Sequence, residues 1–300
     1  MTRPALPLAD ALQRGTVVLD GGLSNQLEAQ GCGLSDALWS ARLLADAPAE
    51  ITAAHRAYVD AGARVLITAG YQASFEGFAR HGRSRAEAEE LFRRSVALAR
   101  EAAGDVPVHV AASVGPLGAV RADGGEYRGR YGLGVKELER FHRPRIAAVA
   151  EARPDVLALE TVPDVDEAEA LLAAAEGSGL PVWLSYTVSG DRTRAGQPLP
   201  EAFDLVVGRD EVVAVGVNCC TPQDAERAVG LAAERTGKPV VVYPNSGEGW
   251  DAVRRRWVGP GGFEPRRAAG WAARGARLIG GCCRVGPDGI GELAACLREG

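Results

Sequence analysis

The sequence predicts a single (β/α)8 barrel, and three observations carry that prediction. Short, nearly continuous apolar runs alternate with Ala/Leu/Glu/Arg-rich stretches about eight times along the chain. No glycine-rich dinucleotide fingerprint follows the first run, which removes the main pointer to an open nucleotide-binding sheet. A length of 300 residues accommodates eight strand–helix units in one domain, residues 1–300, and no linker-like shift in composition divides it.

Strands covered by helices on both faces must be apolar on both sides, so unbroken apolar runs are the expected signature. The first is Val17–Leu19. Arg64–Thr68, Val108–Ala112, Val156–Leu159 and Val182–Thr187 follow, then Val212–Val217, Val240–Tyr243 and Arg277–Ile279. Helical patterns fill the intervals at Ala49–Ala61, Arg85–Ala103, Val135–Ala152 and Val165–Glu176. They continue at Glu201–Val207, Pro222–Arg235, Phe263–Arg274 and Asp288–Leu297. Ser84 ahead of an acidic first turn is a start signal, as is Thr221-Pro222, a capping residue followed by proline at the first helical position. Right-handed crossovers between such units close a barrel. The longest interruptions, Gly115–Gly134 and Pro244–Gly262, both follow a strand's C-terminal end, where barrel enzymes carry their active-site loops.

Composition narrows the partners. Hydrophobic residues make up 46% and charged residues 24%, enough apolar surface for a full core. A formal net charge of −5, with the charges interspersed, offers no basic face for nucleic acid. No run approaches the roughly 18 to 20 apolar residues of a membrane helix, and Met1–Asp10 lacks a secretory signal, so the expected setting is the cytoplasm and the expected partner a small molecule. Monomer and homodimer are both open.

The six cysteines are too sparse for a disulfide scaffold, and four form adjacent pairs, Cys219-Cys220 and Cys282-Cys283. Each pair sits at the end of a predicted strand, the sixth and the eighth, so both open on one face of a barrel. Three thiolates around Zn2+ leave one tetrahedral position free, which distinguishes catalytic zinc from a closed structural site. A substrate thiol entering there would be held as thiolate, whereas a free thiol with a pKa near about 8.5 is mostly protonated at neutral pH. Cys32 and Cys296 read as ordinary packing residues, and Cys220 as a packing residue or a ligand.

These segments resemble the homocysteine S-methyltransferase family, in particular its short members that use S-methylmethionine or S-adenosylmethionine. The resemblance runs from Asp20 to about Ile290. It rests on Leu19-Asp20-Gly21-Gly22, Tyr71-Gln72-Ala73-Ser74, Glu160-Thr161-Val162-Pro163, Gly216-Val217-Asn218-Cys219, Tyr243-Pro244-Asn245 and Gly280-Gly281-Cys282-Cys283-Arg284. It implies a zinc ion held by Cys219, Cys282 and Cys283, with Asp20 and Glu160 in the homocysteine pocket. Gly21 and Gly22 are candidate amides for the substrate carboxylate, and Tyr71, Gln72 and Thr161 candidate pocket residues. Asn218, beside Cys219, is a further substrate-side residue that orients the metal shell. The chain departs from the family pattern at Ala69-Gly70 and at Val285-Gly286-Pro287, which bears on selectivity more than on reaction class.

The reaction so implied is transfer of a methyl group from a sulfonium donor to the homocysteine thiolate, giving methionine, with no protein nucleophile. Loop aromatics Tyr127, Tyr131, Trp250 and Trp257 are candidates for a cation–π contact with the sulfonium. Two alternatives compete. One keeps the site but takes betaine or another onium donor, or another thiol. The other is non-catalytic: a metal closed by a fourth protein ligand, or a Cys219–Cys282 disulfide. The histidines are His55, His81, His109 and His142; His109 lies in the third strand and His142 on a helix, so neither of these two is evidently placed to be that fourth ligand.

Overall fold

Each apolar run does become a strand, and all but the short first one are largely buried. The computed structural model describes residues 4–34, 38–251, 256–259, 261 and 263–299. Its main sheet holds β1 (Val17–Val18), β2 (Val65–Ile67), β3 (His109–Val114), β4 (Val156–Val162), β5 (Val182–Tyr186), β6 (Val212–Asn218), β7 (Val240–Tyr243) and β8 (Ala276–Ile279). All neighbours are parallel, in the order β1-β8-β7-β6-β5-β4-β3-β2, and a bridge from Leu19 to Val65 joins β1 to β2 and closes the ring.

Strand periodicity explains where the site lies. Successive side chains alternate between the barrel interior and the helix layer. In β4, Leu157 and Leu159 pack outward in the large core cluster, while Val156 and Ala158 point inward with Ala111, Trp183, Ala214, Val241 and Leu278. Continuing that inward row toward the C-terminal end gives Ser113, Glu160, Ser185 and Asn218, all buried. The interior is thus apolar below and polar at the top. β4 and β6 extend past the apolar runs into these polar residues, so the sequence-based ends at Leu159 and Val217 were early: ladder hydrogen bonds continue where hydrophobicity stops.

The eight expected helices are present, Arg85–Ala103 with the expected ends and the others with shifted ones, among them Pro48–Asp60 and Pro222–Thr236. Ser84 caps its helix in a reciprocal box with Glu87, and Thr221 accepts from the Asp224 amide at 3.1 Å. Several short elements had no periodic signature. Helix Leu8–Arg14 sends Leu8 and Leu12 into the interior cluster and stops the N-terminal end of the barrel. Helices Leu23–Ala29, Ser40–Asp46, Phe75–Arg80 and Leu117–Arg121 are too brief for a 3.6-residue pattern to register. Two hairpins, Val188–Ser189 with Arg192–Thr193 and Gly249–Asp251 with Arg256–Val258, lie in loops after strands. No helix among the described residues is long and apolar enough to cross a membrane.

Candidate metal and substrate centre

Cys219 stands at the end of β6, and Cys282 and Cys283 follow β8. Their three sulfurs lie within 4.8 Å of one another. Among the described residues no further His, Cys, Asp or Glu joins that group, so none of the four histidines supplies a fourth ligand. Cys219 and Cys282 are joined as a disulfide, their Cα atoms 5.6 Å apart although 63 residues separate them in sequence. Cys220 turns the other way, into the hydrophobic core, where burial pushes its thiol up to about 12.

β6 and β8 are not neighbours; the end of β7 laces them together. The Cys219 amide donates to Tyr243 O at 3.2 Å and the Asn245 amide to Cys220 O at 2.9 Å. On the other side, the Cys282 amide donates to Pro244 O at 2.8 Å and the Ser246 amide to Cys283 O at 3.0 Å. Tyr243 to Ser246 is therefore the splint that sets the spacing of both cysteine segments. Thr187 Oγ1 adds a bond to Cys219 O at 3.1 Å, and Arg284, paired with Glu248 at 2.8 Å, ties down the segment after Cys283.

Two carboxylates occupy the barrel mouth. Glu160 accepts from Ser113 Oγ on one oxygen and from Tyr243 Oη at 3.1 Å on the other. Burial nevertheless lifts its pKa to about 7. Asp20 Oδ2 accepts from the Ile67 amide at 2.9 Å, while Asp20 Oδ1 is buried and has no partner. Burial, with a smaller push from Glu160, raises the Asp20 pKa well above the usual carboxylate range. Two acids that repel each other, with one oxygen empty and no cation paired to either among the described residues, form a pocket waiting for positive charge.

Gly21 and Gly22 serve close packing. A Cβ on Gly21 would meet Val285 O at 2.2 Å and the Tyr58 ring at 2.8 Å; one on Gly22 would meet Cys282 O at 2.7 Å. The Gly22 amide donates to Val285 O at 2.9 Å. The Gly22 amide is thereby engaged within the fold. Asn218 is tied into the fold through its side chain. Its Oδ1 accepts from the Thr161 amide at 2.7 Å and Ser185 Oγ at 2.9 Å, and its Nδ2 donates to Thr161 Oγ1 at 2.7 Å. It is a strut across β4, β5 and β6. The strut holds strain: Thr161 has φ 58° and Cys219 φ 47°, a region costly for a side chain with a Cβ, and most of all for β-branched threonine.

Tyr71 is half-buried and reaches the same cluster through a hydroxyl contact with the Thr161 side chain. Gln72 beside it is half-buried, with no side-chain hydrogen bond to another described residue. The two tyrosines of the loop after β3 divide. Tyr127 lies within electrostatic reach of Cys283 and Cys220. Tyr131 instead packs with Leu117, Leu138 and Phe141, its hydroxyl 3.4 Å from Gly125 O, so it is not a pocket aromatic. The side chains of Trp250 and Trp257 lie outside what the structure describes; their backbones pair in the second hairpin. Sequence reasoning missed Ser113, Glu126 and Arg194, none of which stood out from apolar strands or charged loops, and it placed Tyr243 in a motif without giving it a role at the site.

Comparison with known proteins gives the family and the fold. The family model described as homocysteine S-methyltransferase matches residues 17–297. Homocysteine S-methyltransferase 4 of Zea mays is 43% identical, the match covering 95% of this chain and 90% of the relative. Homocysteine S-methyltransferase YbgG of Bacillus subtilis is 41% identical, covering 94% and 95% respectively. The crystal structure of the homocysteine methyltransferase MmuM from Escherichia coli, in its metallated form, superposes with a TM-score of 0.86 at 39% identity, covering 97% of this chain and 99% of that one. Its oxidised form gives the same TM-score.

Proposed function

The chain belongs to the homocysteine S-methyltransferase family, and we propose that it moves a methyl group from a sulfonium donor to homocysteine at a zinc ion held by Cys219, Cys282 and Cys283. It is an enzyme acting on small molecules, and methyl transfer to homocysteine gives methionine. The observation that carries the reading is the juxtaposition of three converged sulfurs with two buried carboxylates, one of them bearing an empty oxygen. Homocysteine offers a thiol and an ammonium, the two groups such a pocket lacks.

When bound, zinc supplies the charge that keeps a coordinated thiol deprotonated near neutral pH, and three cysteines leave it one open position. The residues of the chain do the rest. Asp20 Oδ1 and Glu160 take the substrate ammonium; its arrival favours ionisation of both acids and removes their mutual repulsion. Ser113 and Tyr243 fix the Glu160 carboxylate, and the Thr161–Asn218 strut fixes the backbone on either side. Positioning of this kind is worth several orders of magnitude when no bond to the protein forms. The Cys219–Cys282 disulfide and a metal compete for the same sulfurs, so the working form is reduced, which suits a reducing cytoplasm.

Methionine formation from homocysteine with S-methylmethionine, S-adenosylmethionine and betaine, measured beside zinc content, tests the reading. Reduced wild type is expected to hold about one zinc per chain and to turn over a sulfonium, while Cys283→Ala loses the metal and roughly 1,000-fold or more of the activity. Full activity in that variant, or a reduced and remetallated wild type inactive with every donor, would overturn it.

A further inference from the structure

Homocysteine binding leaves two charged side chains beside the cysteines unused. Glu126 sits in the short turn Gly125–Tyr127 of the loop after β3, with Glu126 Oε2 buried and unpartnered. The turn is held close against Gly118, where a Cβ would lie 2.2 Å from the Glu126 amide nitrogen. Arg194 follows the hairpin after β5. Its amide donates to Thr187 O at 3.3 Å, and Thr187 in turn binds Cys219 O, so its backbone is anchored one residue from the metal group. Arg194 Nε is also buried without a partner, and the guanidinium lies 5.5 Å from the centroid of the Tyr127 ring.

Both charges therefore lie near one aromatic ring, Glu126 as its chain neighbour and Arg194 at 5.5 Å, and that ring is within electrostatic reach of Cys283 and Cys220. Among the described residues neither charge forms an ion pair, with the other or with a neighbour. Both side chains are half-buried, and a buried polar atom left without a partner is costly unless a ligand supplies one. An unpaired anion and an unpaired cation beside one ring are complementary to a zwitterion. Neither belongs to the Asp20–Glu160 pocket, and Glu126 lies outside the sulfur group.

We infer that Glu126 and Arg194 form a subsite for the α-amino-acid head group of the methyl donor, Glu126 taking its ammonium and Arg194 its carboxylate across Tyr127. The assignment rests on the methyl-transfer reading above and deepens it. It selects sulfonium donors that are themselves amino acids, S-methylmethionine or S-adenosylmethionine, over onium compounds lacking the head group. Contacts to a head group remote from the reacting methyl are the same in ground and transition states, so they act on donor KM rather than on kcat.

Glu126→Gln and Arg194→Met are compared with wild type in initial-rate kinetics with S-methylmethionine and with trimethylsulfonium, which has no head group. Each variant is expected to raise the S-methylmethionine KM about 10- to 100-fold, the loss of one charge-assisted contact. The homocysteine KM stays within about twofold, and preference for S-methylmethionine over trimethylsulfonium falls by the same 10- to 100-fold. An unchanged S-methylmethionine KM in both variants overturns the subsite, as does a homocysteine KM that rises in step. Calorimetric titration of S-methylmethionine into the reduced, zinc-loaded protein separates the two readings. Binding lost in the variants, with no methyl transfer by wild type, sinks the reaction and keeps the subsite. Absence of binding to wild type sinks the subsite.

Discussion

Two buried polar clusters share the C-terminal face of this barrel, and they are built on opposite rules. In the first, Arg145 lies 2% exposed on helix Val135–Ala150 and spends its guanidinium on the carbonyls of Ala73 at 2.8 Å, Gly115 at 3.0 Å and Tyr71 at 3.3 Å. It also meets His142 Nδ1 at 3.2 Å; His142 Nε2 lies 3.0 Å from Glu167, which accepts the Leu117 amide at 2.7 Å. One cation, one anion and an imidazole between them balance. Burial lowers the His142 pKa, and donation from Arg145 to Nδ1 leaves Nε2 carrying the proton toward Glu167. Only Glu167 Oε2 goes without a partner, with Tyr131 close by.

In the second cluster, Asp20 and Glu160 are two carboxyl groups with no cation paired to either among the described residues, and Asp20 Oδ1 is unpartnered; beside it, Glu126 Oε2 and Arg194 Nε are unpartnered too. The contrast separates support from site. A network that only supports is balanced before anything binds; a site is left short of the charge its ligand brings. The first cluster also serves the second, since the carbonyls that Arg145 holds begin the loops carrying Tyr71 and, further on, Tyr127.

If that division is right, the two clusters respond to mutation in opposite currencies. Arg145→Met strands Glu167 and three buried carbonyls, so a loss of about 3–5 kcal/mol of stability is expected, read as a lowered urea midpoint. Arg145→Lys should recover little of it, because an ammonium cannot span carbonyls from two loops as a planar fork does. Near-wild-type stability in Arg145→Met would remove the cluster's claim to be structural.

Asp20→Asn probes the other side. The amide oxygen can keep the Ile67 bond while a repelled, desolvated charge disappears. Stability should hold or rise by about 1 kcal/mol, and homocysteine KM should increase about 100-fold with metal content unchanged. A variant both unstable and normal in KM would reassign Asp20 to the supporting class.

How much of this the sequence disclosed depends on how each residue is embedded. The strands were legible because burial on both faces forces unbroken apolar runs, and Cys219, Cys282, Asp20 and Glu160 stood out as reactive types at the ends of those runs. Ser113 and Tyr243 were not legible as Glu160's partners, since a serine and a tyrosine close to an apolar run look like ordinary strand residues. Glu126 and Arg194 look like solvated loop charges until the fold turns them onto Tyr127. The Arg145 cluster draws on the helices Val135–Ala150 and Val165–Ala175 and on the loops after β2 and β3, and no spacing in the chain announces such a meeting. Gly22 and Asn218 are marked as special by the motif, but the hydrogen bonds that tie both into the fold are visible only in three dimensions.

His55 sharpens the comparison from its weak side, because it shows that an unpartnered buried atom alone is not a site. It is wholly buried on helix Pro48–Asp60, and neither ring nitrogen has a partner. No second polar group accompanies it in its orphaned state, and burial lowers its pKa to about 4, so it is neutral wherever the enzyme works. Its expected effect is on acid stability alone. The unfolded imidazole takes up a proton below its ordinary pKa near 6.5, whereas the folded one resists until about 4. The unfolded state therefore binds more protons between those values, and stability falls as pH drops through the window, reaching a constant deficit below it. At pH 5 the loss relative to pH 7 comes to about 2 kcal/mol from this group. Carboxylates titrate nearby, so the measurement is the difference between wild type and His55→Leu in urea midpoints across pH 4 to 7. A difference that widens toward acid, at unchanged homocysteine KM, places His55 in neither cluster; a pH-independent difference would mean its ring has a partner in solution after all.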